Sequence, residues 1–437
     1  MNTSLSSNIN TAVALSIKRR IKDSQFFIAV YRTKENFINF SMSCNLNISI
    51  VFSIVFIVLL QPAFAAEEEY YSSVPNPRLI LPEVIYVVPG IESNIYFDNI
   101  VIAANRSNYI FDVTCDKGLQ QSERWTYTAS EKETGEYPLT IDILDQANRS
   151  VANANTTVKI LPVNAGSGND ITLLMIGDSL THSSVYSQHL LDLCANETNP
   201  RLTLIGSHGP GGIPGTNRHE GYGGWTAKRF ATYYDENASK EDYKKRSSPF
   251  LYKKDGGIKL DFGRYCDEFN NSKAPDLVTI FLGANDIFSA SDITIESQID
   301  EMLVYYDMLI AMIHEFGKDT KIGVLLPVPP GASQDAFGAN YACGQTQWQY
   351  KRNQHRLVER LIRQYGSRTN EKIYIVPTYI NLDCFHNYPV NSTLCNSRTS
   401  TQMIRLNNGV HPAESGYRQI GDSVYCWLKA IVNDLKN

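Results

Sequence analysis

Two textures of hydrophobic patterning divide the chain. Between residues 79 and 161, apolar and polar positions alternate in short runs, VIYVVPG, NIYFDNIVIA, YIFDVTC, RWTYTA, YPLTIDILD and TTVKILP, punctuated by Gly, Pro, Asn and Asp. Successive side chains of a strand point to opposite faces, so such runs read as strands packed on one side. About six or seven of them in this length predict a small all-β, antiparallel sandwich of the immunoglobulin-like kind. It contains no cluster of acids, histidines or nucleophiles, which points to packing or spacing rather than chemistry. From residue 171 the alternation disappears. ITLLMIG (171–177), LTLIG (202–206), DLVTIFLG (276–283), KIGVLLPV (321–328) and KIYIVP (372–377) are apolar throughout, as strands covered on both faces must be. Helical spacing separates them, in VYSQHLLDLC, WTAKRFATYY, ESQIDEMLVYYDMLIAMIHEF and QWQYKRNQHRLVERLIRQY, and ESGYRQIGDSVYCWLKAIV follows the last. Alternating strands and helices predict a three-layer α/β/α, doubly wound parallel sheet of flavodoxin-like type. Its ligand site should lie beyond the carboxyl ends of the strands.

The expected organisation is therefore a targeting segment with an N-terminal extension over 1–65, the sandwich over 66–161, the linker PVNAGSGND over 162–170 and the α/β domain over 171–437. The targeting segment rests on ISIVFSIVFIVLL (48–60), an apolar run shorter than the roughly 20 residues that span a bilayer. Pro62 and Ala63-Phe64-Ala65 follow, a small-x-small pattern suited to cleavage after Ala65. Met42 is an alternative start that would place this run nearer the N-terminus. The expectation is a secreted or periplasmic protein with no stable membrane insertion after cleavage.

Charge adds an exclusion. A net charge of −5 over 437 residues offers no cation excess to neutralise phosphates, so nucleic acid is not an expected partner. Of eight cysteines, Cys44 lies in the leader and seven follow it. Cys384 and Cys395, flanking a short loop, are the expected disulfide. No CxxC or Cys/His spacing points to zinc. Asn105, Asn237 and Asn391 begin Asn-x-Ser/Thr sequons.

Candidate chemistry gathers at the predicted strand ends. IGDSLTHSS places Ser179 at a strand-to-helix turn, where its hydroxyl is presented beside helix N-terminal N–H groups; Asp178 or Ser179 acting only as an N-cap is the plainer reading. HEGYGGWT (219–226) places Gly223 and Gly224 where a backbone N–H can approach a substrate oxygen. FLGANDIF (281–288) puts Asn285 at the end of the third buried strand, and NNGVHP (407–412) puts His411 just before the last helix. Trp225, Phe288 and Trp348 are candidate walls of an acyl or sugar site. Tyr305 and Tyr306 read as rim and core, and KEDYKKRSS (240–248) as a solvated insertion.

These four blocks, GDSL at 177–180, the Gly-rich block at 221–224, GAND at 283–286 and VHP at 410–412, resemble in order those of the SGNH, or GDSL, hydrolases over residues 171–435. The sandwich looks like the accessory domains some secreted members carry. The resemblance implies an ester hydrolase needing no metal or cofactor. Ser179 would be the nucleophile and His411 the general base, with an oxyanion hole formed by Ser179, Gly224 (or its neighbour Gly223) and Asn285. The departure is Asn408, standing where the family has the Asp of Asp-x-x-His. An Asn can accept the Nδ1–H of His411 but brings no charge. Asn408 is read as a neutral orienter of His411; Glu414 and Asp422 are poorly placed to substitute for it, and Asp383 is the more credible of the alternatives. Acylated carbohydrate, most simply O-acetyl groups on polysaccharide, is the expected substrate. A lipid, thioester or small-ester hydrolase, and a carbohydrate-binding pseudoenzyme with a decayed triad, are the competing readings.

Overall fold

The computed structural model describes residues 77–433, apart from residues 214, 240 and 241. The targeting segment, Cys44, Met42 and Ala65 lie outside the described residues. Among the described residues no helix is long and apolar enough to cross a membrane.

The N-terminal β-rich region is built from β1 (Val84–Val87), β2 (Glu92–Tyr96), β3 (Ile110–Thr114), β4 (Leu119–Gln120), β5 (Arg124–Thr128), β6 (Gly135–Leu144) and β7 (Ser150–Ile160). They form two sheets, ordered β1-β7-β6-β3 and β2-β5-β4. Two features depart from the expected pattern. The first strand pairs in parallel with the last, Val84 opposite Thr157. The run NIYFDNIVIA is also broken, because Phe97–Ile100 turns once as helix and buries Phe97 and Ile100. A single helical turn lets two successive apolar side chains reach the interior, which a strand's alternation forbids.

Residues 162–170, the expected linker, form a turn anchored to the α/β region. Ala165 is buried, and the Lys429 ammonium, itself buried, donates to the Val163 carbonyl at 2.6 Å and to Asn199 Oδ1 at 2.6 Å. Asn99 Nδ2 donates at 2.8 Å to the carbonyls of both Tyr379 and Leu382, and Asn381 Oδ1 accepts from the Asn94 amide at 3.0 Å. Buried amides paired on both sides hold the β-rich region to the α/β region in one orientation.

The central sheet comprises β8 (Asp170–Gly177), β9 (Arg201–Ile205), β10 (Glu220–Gly221), β11 (Leu277–Phe281), β12 (Lys321–Leu325) and β13 (Ile373–Val376). Its five main strands are parallel and run in the order β9-β8-β11-β12-β13, with β10 pairing the carboxyl end of β8. Every residue of β11 is buried, as its unbroken apolar run requires. The surrounding helices include α1 (Ser179–His182), α2 (Val185–Cys194), α3 (Ala227–Thr232), α4 (Ile295–Phe316), α5 (Gln347–Tyr365) and α6 (Glu414–Asn433). In α4, Ile295, Ile299, Met302, Tyr306, Leu309 and Ile313 recur every three or four residues and are buried. Chain order reverses between β8 and β11, the topological switch point at which such a sheet opens a crevice. Ser179 follows β8 and Asn285 follows β11, so both stand at that crevice.

Candidate active site

Gly177 closes β8, and a Cβ there would collide with the Thr181 side chain, so the strand can turn this tightly into α1 only with glycine. Asp178 caps the turn, its Oδ1 accepting the Leu180 N–H at 2.9 Å. Ser179 thus opens α1 with its hydroxyl toward the crevice. The last helix is entered through a second local device: Asn408 Oδ1 accepts the N–H groups of Val410 at 3.0 Å and His411 at 2.9 Å. This Asx turn aims the imidazole back across the sheet. His411 Nε2 and Ser179 Oγ meet at 2.8 Å. Burial holds His411 below its ordinary value, so at neutral pH it is the free base, the form able to take the serine proton.

The other predicted residues lie around this pair. The N–H groups of Ser179 and Gly224 donate to no atom among the described residues. Gly224 is exposed with φ +77, a left-handed conformation that favours glycine. Asn285 Nδ2 donates to the Trp225 carbonyl at 3.1 Å and Asp178 Oδ2 at 3.3 Å.

Several expectations need correction. Asn408 does not orient the imidazole ring: both bonds to its side-chain oxygen come from backbone N–H groups, leaving His411 Nδ1 without a hydrogen-bond partner among the described residues. Asp383 is no substitute, since it accepts from the Phe385 and His386 N–H groups and pairs with His386 Nδ1 at 2.8 Å. Glu414 pairs with Arg418, and Asp422 with His189. Cys384 and Cys395 are both free, as are the other five cysteines of the described residues. Cys384 is buried against the Asn99 side chain and the Pro329 carbonyl. Trp225 is wholly buried and cannot wall the site, whereas Phe288 and Trp348 are partly exposed.

Sequence reasoning missed the bracing of the site. Asp178 is buried, and desolvation pushes its carboxyl up to about 7. Asp286, partly buried and likewise pushed up to about 7 by desolvation, accepts the Ala227 N–H at 3.1 Å. Asp178 therefore ties the serine turn to Asn285, and Asp286 ties the Asn285 turn to the loop carrying Gly224. Beneath that loop, buried Glu220 accepts from Ser207 N at 2.6 Å, from Tyr265 Oη at 2.7 Å and from the Tyr222 hydroxyl. His219 Nδ1 accepts the Gly221 N–H at 3.0 Å, and its Nε2 meets Ser184 Oγ at 2.8 Å. The acids of GDSL and GAND were legible as types, but their partners lie 107 and 59 positions away in sequence, respectively.

A serine hydroxyl bonded to a histidine at the switch point of this sheet is the arrangement of a serine hydrolase. The GDSL-like Lipase/Acylhydrolase family matches residues 173–424, more than half of the chain, and the chain belongs to this family of ester hydrolases. No curated protein matches it. Solved structures similar to it include a carbohydrate esterase family 3 protein from Talaromyces cellulolyticus, at 15% identity over 60% of this chain and 99% of that one, with a TM-score of 0.34. A carbohydrate acetylesterase family member from Sinorhizobium meliloti matches at 14% identity over 60% and 99%, with a TM-score of 0.36. A possible lipase from Chitinophaga pinensis matches at 15% over 60% and 99%, with a TM-score of 0.31.

Proposed function

We propose that this ester hydrolase is an exported enzyme that removes O-acetyl groups from carbohydrate. The observation that carries the chemistry is the 2.8 Å contact between His411 Nε2 and Ser179 Oγ. His411 takes the hydroxyl proton as Ser179 Oγ bonds to the ester carbon, and the carbonyl oxygen becomes an oxyanion. The N–H groups of Ser179 and Gly224 are unspent and available to it. Asn285 joins them by giving up its 3.3 Å bond to Asp178, the longer of its two. Donors of this kind are worth on the order of 10²–10³ in rate each. Collapse of the oxyanion breaks the bond to the leaving alcohol, which receives the proton from His411, and a water activated by the same base then releases the acetate. Catalysis runs on a Ser–His pair whose loop, rather than whose ring, is held by Asn408.

The carbohydrate part of the proposal is supported by a cleft of mixed polar and apolar lining beside the Asn408 loop. The cleft of about 760 Å³ opens at Asn407, the residue before Asn408, and is lined by Gln334, Gln345, Thr346, Asn391, Thr393 and Arg405 among others. Ala339, Ala342, Cys343 and Leu406 complete the lining, and amides and hydroxyls set among apolar side chains suit a sugar ring, which is hydroxylated at its edge and apolar on its faces. Export is supported by the apolar run and Ala63-Phe64-Ala65 pattern before the β-rich region. The test compares the protein with Ser179→Ala on p-nitrophenyl acetate and acetylated xylan. Wild type should release acetate from both and the variant from neither above background; equal slow rates would show a pseudoenzyme. A preference for long-chain over acetyl esters, with acetylated xylan untouched, would make it a lipase instead.

A further inference from the structure

Residues 242–248 come from the stretch that reads in sequence as a solvated insertion, yet they are strapped down beside the active site. Arg229 Nη2 donates to the Lys244 carbonyl at 2.6 Å. Arg246 Nη2 donates to Ser207 Oγ at 2.9 Å, with its guanidinium 4.9 Å over the Tyr222 ring. Immediately before these two anchors the Tyr243 ring packs on His182, centroids 4.5 Å apart. His182 ends the same single-turn helix that Ser179 begins. The Tyr243 hydroxyl lies 3.2 Å from where a Cβ on Gly223 would stand, beside the glycines of the oxyanion loop. His182 and Tyr243 are both partly exposed.

Two polar atoms of this pair are unspent. His182 Nδ1 is engaged by the Gly221 carbonyl at 3.3 Å and His208 Nε2 at 3.0 Å, while its Nε2 has no partner among the described residues. A carbonyl only accepts, so the proton is assigned to Nδ1, and Nε2 is left as an acceptor. The Tyr243 hydroxyl also has no hydrogen-bond partner among the described residues. We propose that Tyr243 Oη and His182 Nε2 bind hydroxyl groups of the sugar that carries the ester, forming a leaving-group subsite; the assignment rests on the carbohydrate reading above. An acetyl methyl placed here would desolvate both polar atoms without pairing either, which disfavours this side for the acyl group. A neighbouring pair of hydroxyls on a sugar ring would satisfy both, on a surface the two arginine anchors have already ordered.

The experiment is steady-state kinetics of Tyr243→Phe on acetylated xylo-oligosaccharide and on p-nitrophenyl acetate, whose leaving group has no hydroxyl to bind. Losing one hydrogen bond to the leaving sugar should lower the ratio of kcat/KM on the sugar ester to that on the aryl ester about fivefold to tenfold, through KM. Lys245→Ala, on the same strap with its side chain exposed, should leave the ratio unchanged and so separates the hydroxyl from general loosening of the strap. A Tyr243→Phe ratio within twofold of wild type, with sugar esters still cleaved, overturns the Tyr243 assignment alone. A wild-type enzyme that cleaves p-nitrophenyl acetate through Ser179 but no acetylated sugar overturns the carbohydrate reading, and this subsite with it.

Discussion

Asn408 stands where a carboxylate would orient the base, and its side-chain oxygen is fully used by the N–H groups of Val410 and His411. Its contribution is to loop geometry, and under the proposed mechanism an imidazolium at His411 would be left without a compensating charge. Asn408→Ala strands both N–H groups, and kcat on p-nitrophenyl acetate should fall at least about tenfold, since a 1 Å misplacement of a base can cost 10²-fold. Asn408→Asp keeps an acceptor for both groups and should stay within about threefold of wild type. A rise of a hundredfold or more in Asn408→Asp would instead show that the second carboxylate oxygen reaches Nδ1 and that charge is the limiting deficit. The sequence showed which residue departs from the usual spacing but not which atoms it serves, because a backbone N–H and a ring N–H of His411 are equally compatible with a three-residue offset. The positions of Ser179, Asn285 and His411 in the fold were legible for the opposite reason, each lying at the end of a strand or the start of a helix that hydrophobic patterning had already placed.

Among the elements, the buried strands were the most legible, since an apolar run with no polar face has few other solutions. The helical turn at Phe97–Ile100 and the Tyr243 strap were not. The first depends on burial from both sides, and the second on His182 and Gly223, 61 and 20 positions earlier in the chain. The braces between the site's loops were hidden in the same way, and Asp286 makes them testable. Its carboxyl, pushed up to about 7 from an ordinary 3.8, keeps its proton in the folded protein while the unfolded chain gives it up. Stability from this group is therefore fully present below pH 3.8 and lost as pH rises toward 7. Asp286→Asn retains an oxygen for Ala227 N–H without the cost of ionisation. At pH 8 it should be more stable than wild type by about 2 kcal/mol in urea unfolding, after discounting for partial exposure. At pH 4 the two proteins should coincide. A variant less stable than wild type at pH 8 would mean that the ionised carboxylate is the better brace.

The whole molecule carries an opposite pH dependence at the junction between its β-rich and α/β regions. His355 on α5 is 2% exposed, and neither ring nitrogen has a hydrogen-bond partner among the described residues. Desolvation lowers it to about 3. The nearby Ile100 carbonyl, from the β-rich side, pulls the other way, and Lys351, Arg78 and Arg356 add to the lowering. His208 and His219, beneath the Gly223-Gly224 loop, are lowered to about 4 and about 3, again first by desolvation. For each, the unfolded chain takes up a proton near pH 6.5 and the folded protein does not. Stability is therefore fully present above pH 6.5 and falls as the pH drops toward the folded values. Each such histidine costs about 1.4 kcal/mol per pH unit in that window, or roughly 2 kcal/mol at pH 5. The raised carboxylates of Asp178 and Asp286 work against this trend, so wild-type Tm alone will not separate the contributions. His355→Leu does separate them, because it removes one proton site and keeps an apolar side chain of similar size in a dry position. The variant's loss of Tm between pH 8 and pH 5 should be smaller than wild type's by a few degrees. An unchanged loss would mean that the junction opens to admit water and lets His355 ionise without cost, leaving His208 and His219 to set the acid limit from within the active-site wall.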